Sequence, residues 1–231
     1  MMKAIVMGSM LFWGGVSMAN QSLHKNRLFI LSGQSNMARL NPDDTFTPTL
    51  QKAFPNDHVV VIKDAQGGQP ISRWTKPSAS SEGNLQSKVG DLYDRLLSTV
   101  KVSSADGHFD TVTFVWMQGE SDANKRQGEQ YESKLRAVIG QLKQDMQRDD
   151  LYVIVGRISD FGFKRQDKKS DWEKVRNAQV HIAETDNHAT WVDTDDLNGG
   201  MDRLHYTDEG YKTLGERFAQ AAITLIKKNG S

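Results

Sequence analysis

Leu28-Phe29-Ile30-Leu31-Ser32-Gly33-Gln34-Ser35-Asn36-Met37 decides how this chain is read. A compact apolar run, Leu28 to Leu31, reads as a buried strand, and Ser32-Gly33 breaks it with a residue that permits a tight turn. A serine follows directly. A side chain leaving a strand end is held by the sheet and still open to substrate, and a nucleophilic serine needs that placement.

Working outward, the same unit recurs. His58-Val59-Val60-Val61-Ile62 is a second strand, running into the glycine turn Gly67-Gly68 with Gln69-Pro70-Ile71 behind it. Thr111 to Trp116 is a third, followed at once by Gln118-Gly119-Glu120-Ser121-Asp122. Leu151 to Val155 and Ala189 to Asp193 supply a fourth and a fifth. Between them run apolar stripes of helical spacing: Leu85, Val89, Leu92, Leu96 and Val100, then Tyr131, Leu135, Val138, Leu142 and Met146. Ser170 and Glu173 make a capping box for a third helix carrying Trp172, Val175 and Ile182. Tyr211, Leu214, Phe218, Ala222 and Leu225 stripe the last. Asn41 to Thr49, with two prolines and two aspartates, reads as surface loop. Strands alternating with helices build a parallel sheet covered on both faces, and ligands bind beyond the carboxyl ends of its strands. Ser35, Gly67 and Gln118 each follow a strand, which puts all three on that rim.

The 231 residues suit one α/β domain. Lys3, the apolar run Ala4 to Val16 and Ser17-Met18-Ala19 have the pattern of a secretory signal peptide, too short for a comfortable membrane span. Residues 1–19 are therefore expected to be a signal peptide and 20–231 the mature domain, secreted or periplasmic, with no membrane attachment after removal of the signal. Basic and acidic side chains number 29 each, which argues against a nucleic-acid partner. With no cysteine there is neither a disulfide framework nor a thiolate nucleophile.

An attacking serine needs a base for its proton and donors for the developing oxyanion. Of the six histidines, His24, His58 and His108 precede or start strands, and His181 and His188 read as structural. His205 stands in Asp202-Arg203-Leu204-His205-Tyr206-Thr207, a loop between the last strand and the last helix. Asp202, three residues earlier, is close enough to fix the imidazole tautomer. Backbone N–H groups of Ser35 and Gly67 and the amide of Gln118 could receive the oxyanion. Glu120 could orient the site or cap the next helix. Trp74 and Trp116 read as packing, and Asp193, Asp195 and Asp196 as an acidic turn rather than a calcium site. No phosphate-cradling glycine loop follows the first strand, and no histidine cluster has metal-ligand spacing.

Gly33-Gln34-Ser35-Asn36-Met37, Gly67-Gly68 with Ile71 and Trp74, Trp116-x-Gln118-Gly119-Glu120-Ser121-Asp122 and Asp202-x-x-His205 occur in this order. Together they resemble the SGNH (GDSL-type) hydrolase superfamily, in its sialate O-acetylesterase-like, carbohydrate acetylesterase branch, over nearly all of the mature chain. The resemblance implies a flavodoxin-like three-layer α/β/α sandwich with a five-stranded parallel sheet of order 2-1-3-4-5. It implies Ser35 as nucleophile, His205 as base, Asp202 as its orienting acid, and an oxyanion hole of Ser35, Gln118 and Gly67 or its neighbour Gly68. No cofactor or metal is implied, and the expected partner is an acetylated carbohydrate. Gln34 and Gln118-Gly119-Glu120 depart from the wider superfamily, as they do in the acetylesterase branch. A lipase, thioesterase or acyltransferase on the same scaffold, or a non-catalytic carbohydrate-binding protein, are the rival readings.

Overall fold

The structure is a computed structural model that describes residues 24–76, 88–103, 107–199 and 201–230. Five strands, β1 (Asn26–Gly33), β2 (His58–Ala65), β3 (Thr111–Met117), β4 (Tyr152–Gly156) and β5 (Ala189–Val192), form one sheet of order β2-β1-β3-β4-β5. Every neighbouring pair is parallel. This is the expected α/β fold, with the expected order. β1 and β3 are central and buried almost throughout, which is why they read as continuous apolar runs and not as alternating ones.

Helices cover both faces. α3 (Asp91–Ser103), α5 (Tyr131–Asp145) and α6 (Lys169–Glu184) pack in sequence along one face. α2 (Phe46–Ala53) and the long α7 (Asp208–Asn229) pack together on the other. Two short helices, α1 (Ser35–Arg39) and α4 (Glu120–Asn124), start immediately beyond the ends of β1 and β3.

Register delivers the rim. Gly33 pairs with both Ala65 and Met117, so β1, β2 and β3 end level with one another. The backbone there is tight: Gln34 N–H donates to the Met117 carbonyl at 2.8 Å. Gly33 lies at φ 144°, and a Cβ on it would collide with that same carbonyl. Only glycine fits the exit of β1.

Trp74 and Trp116 read as packing, and they pack. Their rings meet edge to face, with centroids 5.3 Å apart, and each indole N–H is satisfied, Trp74 by Ser32 Oγ at 3.1 Å and Trp116 by Tyr131 Oη at 3.2 Å.

The sequence reading needs three corrections. The stretch Asn41 to Thr49 is not all loop, because α2 begins at Phe46. Pro48 stands in the first turn, where its missing N–H deprives no carbonyl of a partner. Phe46 and Leu50 are fully buried, and Phe46 meets Phe29 edge-on at 5.8 Å. The Ser170–Glu173 capping box does not form. α6 starts two residues earlier than a Ser170 cap requires, its N-cap is Lys168 with no side-chain cap, and the Lys168 and Lys169 N–H groups are taken by the Arg165 carbonyl. Finally, α3 begins at Asp91, after Val89, and Leu85 lies outside the described residues, as does the expected signal segment 1–19.

Candidate active site

Ser35 opens α1 and lines a solvent-open cavity of about 370 Å³ at the carboxyl rim. Gly67, Gly68, Glu120 and His205 line the same cavity. Ser35, Gly67 and His205 therefore converge as expected, whereas Gln118, expected on the same rim, does not line the cavity. A larger cavity of about 600 Å³ opens at the amino end of the sheet around His108, Phe109 and Arg148. Its described lining contains neither a serine nor an acid-held histidine.

His205 is held by one tight turn. Asp202 Oδ1 accepts the backbone N–H groups of Leu204 at 3.0 Å and His205 at 2.9 Å. Its other oxygen, Oδ2, lies 2.5 Å from His205 Nδ1. With the proton on Nδ1, Nε2 is left as a free acceptor. The turn also holds Arg203 at φ 58°, a left-handed conformation. The Asp202 carboxyl is held down to about 2, chiefly by the His205 N–H, with the imidazole and the Leu204 N–H adding to it. The His205 ring is mostly covered, at 15 % exposed, while Asp202 is 53 % exposed.

Of the two glycines, Gly67 is the one against Ser35: a Cβ on Gly67 would sit 3.7 Å from Ser35 Cβ, in ordinary contact, whereas one on Gly68 would meet nothing within 4 Å. Gly67 is thus the glycine that packs against Ser35.

Gln118 is placed differently from the expectation. It is fully buried, and its Nε2 is committed to Asp122 Oδ2 at 2.6 Å, the Gln69 carbonyl at 3.1 Å and Gln34 Oε1 at 3.3 Å. An amide already spent on three acceptors is a strut under the 66–74 loop and has no proton left for an oxyanion in this arrangement. Asp122 completes the strut by accepting the Ile71 N–H at 2.9 Å. Burial pushes the Asp122 carboxyl up, against the pull of the Gln118 and Ile71 donors.

Asn36, Tyr211 and Asp122 support the site although sequence reasoning gave them no role. Asn36 Nδ2 donates to Glu120 Oε1 at 2.9 Å and to the Leu204 carbonyl at 3.5 Å, while its Oδ1 accepts the Tyr211 hydroxyl at 3.0 Å. The residue after Ser35 thereby ties α1 to α4, to the His205 loop and to α7. Burial pushes the Glu120 carboxyl up, and its own N–H, Asn36 and His205 oppose this. Glu120 Oε2 has no partner among the described residues. The only signal in the sequence was that Asn36 and Asp122 sit inside the two quoted motifs.

The other histidines stand apart. His181 pairs with Glu132 at 2.9 Å on the outer surface, and His188 lies 3.8 Å from Asp186. In the acidic turn, Asp193 and Asp195 bind Arg157, Asp195 also binds Arg176, and Asp196 binds Arg217.

Residues 38–224 match the family described as carbohydrate esterase, sialic acid-specific acetylesterase (SASA). The chain belongs to this carbohydrate esterase family. The matched segment includes Gly67, Gln118, Glu120, Asp202 and His205, and it begins three residues after Ser35. A probable carbohydrate esterase of Arabidopsis thaliana is 26 % identical over 188 residues, 80 % of this chain and 64 % of the relative. The chain thus spans a little under two thirds of that relative's length. Among solved structures, a protein of Arabidopsis thaliana superposes with a TM-score of 0.68 at 22 % identity, covering 87 % of this chain and 98 % of the other. A carbohydrate acetylesterase from Xanthomonas citri gives 0.67 at 16 % identity, covering 87 % and 56 %. NanS gives 0.65 at 11 %, covering 89 % and 98 %. These structures share the fold of this carbohydrate esterase family member.

Proposed function

We propose that the chain is a serine esterase that removes acetyl groups from a carbohydrate. The observation that carries this reading is the Asp202-held His205 lining one cavity with Ser35 and Gly67. Ser35 Oγ attacks the acetyl carbonyl and His205 Nε2 takes its proton. The tetrahedral oxyanion is received by the Ser35 and Gly67 N–H groups, and the sugar alcohol leaves with the proton from His205. Water then attacks the acetyl-enzyme by the same route and releases acetate. Asp202 holds the imidazole in the tautomer that does this and stays ionised. Gln118 and Asp122 keep the Gly67 loop in place, and Asn36 and Glu120 keep the Ser35 and His205 segments together. Membership of a carbohydrate esterase family supports the substrate class.

We further propose that residues 1–19 direct export, so that the enzyme meets its glycan outside the cytoplasm. No helix among the described residues is long and apolar enough to cross a membrane. The test is acetate release from a small acetyl ester by the mature protein, Ser35→Ala and His205→Ala. Loss of about three or more orders of magnitude in kcat/KM with circular dichroism unchanged is expected. Equal activity in all three would refute serine chemistry at this site.

A further inference from the structure

Arg39, Arg126, Arg165 and Arg203 are the arginines that form no ion pair among the described residues; the remaining arginines all do. They are not scattered. Arg39 lines the Ser35 cavity together with Lys125, the residue before Arg126. Arg165 and Arg203 line a second cavity of about 510 Å³, together with Lys164, Phe161, Asn198 and Met201. Lys164 is also in no ion pair among the described residues. On a chain of zero net charge whose other arginines are neutralised, this rim keeps its cations free.

The second cavity adjoins the first across three residues. Arg203 lines one, Leu204 and His205 the other. Phe161 packs against Trp172, with ring centroids 5.8 Å apart, and offers an apolar wall to a sugar ring. Asn198 Nδ2 donates to Asp160 Oδ1 at 3.3 Å, and its buried Oδ1 has no partner among the described residues. Neither nearby acid forms an ion pair with these cations among the described residues. Asp160 is the acceptor of the Asn198 amide, and Asp202 is occupied by His205 and its own turn.

We infer that the cavity bounded by Lys164, Arg165 and Arg203 is a subsite for the carboxylate of an acidic sugar residue that neighbours the acetylated one in an oligosaccharide. The placement beside the Ser35 cavity, not within it, is why the carboxylate belongs to a neighbouring residue. The inference rests on the esterase reading for which residue is acetylated, but binding can be measured without turnover.

The experiment titrates the mature protein with an unacetylated oligogalacturonide, a neutral xylooligosaccharide of the same length and free galacturonate, by calorimetry. The acidic oligomer is expected to bind about ten-fold or more tighter than the neutral one, with the gap shrinking as salt is raised to about 0.5 M. The Lys164→Ala/Arg165→Ala double variant is expected to close most of that gap. The salt series on the unaltered protein keeps the test valid if the double variant folds poorly. Hydrolysis of the acetylated forms of both oligomers, and of O-acetylated sialic acid, is measured in parallel. Equal binding of acidic and neutral oligomers would overturn the subsite while leaving any esterase activity standing. A gain shown equally by free galacturonate or by O-acetylated sialic acid would also overturn it, since that places the carboxylate on the acetylated residue itself. Salt-sensitive binding of the acidic oligomer with no ester hydrolysed would retain the subsite and refute the esterase.

Discussion

Asp202→Asn isolates the tautomer from the turn. Asn keeps an oxygen to accept the Leu204 and His205 N–H groups, which Asp202 Oδ1 accepts at 3.0 and 2.9 Å. The amide NH₂ that replaces Oδ2 can only donate, so it turns His205 Nδ1 into an acceptor and moves the ring proton to Nε2, where the base is needed. Where such an acid is buried, this exchange lowers kcat by about four orders of magnitude. The Asp202 side chain is 53 % exposed, so water competes for Nδ1 and the ring can recover its useful tautomer part of the time. A loss of about two to three orders in kcat/KM is therefore expected, scaled down from the buried case. Asp202→Ala also removes the acceptor that holds Arg203 at φ 58°, which releases about 1 kcal/mol of backbone strain and lets the loop move. The two variants should lose similar activity while only Ala loosens the loop, read as faster amide exchange at Leu204 and His205. The assay is acetate release from a small acetyl ester across pH 5 to 9, alongside thermal unfolding. An Asp202→Asn enzyme within about three-fold of wild type would refute the orienting role.

Further outcomes follow from the same geometry. Because the Asp202 carboxyl is depressed to about 2, its hold on the turn is complete above the ordinary carboxylate range and is lost as pH falls towards 2; exchange protection at Leu204 and His205, corrected for intrinsic rates, should fall between about pH 4 and pH 2. Glu120→Gln should become more stabilising relative to wild type as pH rises from about 4, because burial raises the Glu120 carboxyl and makes its ionisation a growing cost; denaturation at acid and alkaline pH that gave the same difference would contradict this. Gln118→Ala should lower stability by about 2–4 kcal/mol as well as activity, since it strips a donor from buried Asp122, whereas a variant as stable as wild type but inactive would restore Gln118 to the oxyanion hole. Gly33→Ala should cost about 3 kcal/mol or more in denaturant unfolding, from the clash with the Met117 carbonyl.

The strands and long helices were legible because burial on a sheet or along one helix face imposes a period on the residues themselves. Leu28 to Leu31 is apolar throughout, and Thr111 to Trp116 is broken only by two threonines, because both faces of each strand are covered. α2 was hidden because Pro48 counts as a breaker by composition, and only its position in the first turn makes it harmless. The capping box failed for a related reason: whether Ser170 caps depends on where the preceding turn ends, which is settled by backbone bonds to the Arg165 carbonyl.

For the candidate site, chain order sufficed to bring Ser35, Gly67 and His205 to one rim, since each follows a strand of a parallel sheet and all such ends lie on one side. Asp202-x-x-His205 was likewise readable, because a three-residue turn is a local matter. What each buried polar group does was decided only in three dimensions. Gln118 follows its strand just as Ser35 does, yet its amide is consumed by Gln34, Gln69 and Asp122, partners drawn from two other segments. Asn36 meets Glu120, Leu204 and Tyr211 across separations of 84, 168 and 175 residues. Hydrogen bonds at such separations leave no period in a sequence, because their geometry exists only after the strands that carry them have aligned. Strand ends and turns are written locally, while the partners that satisfy a buried amide or carboxyl are chosen by packing.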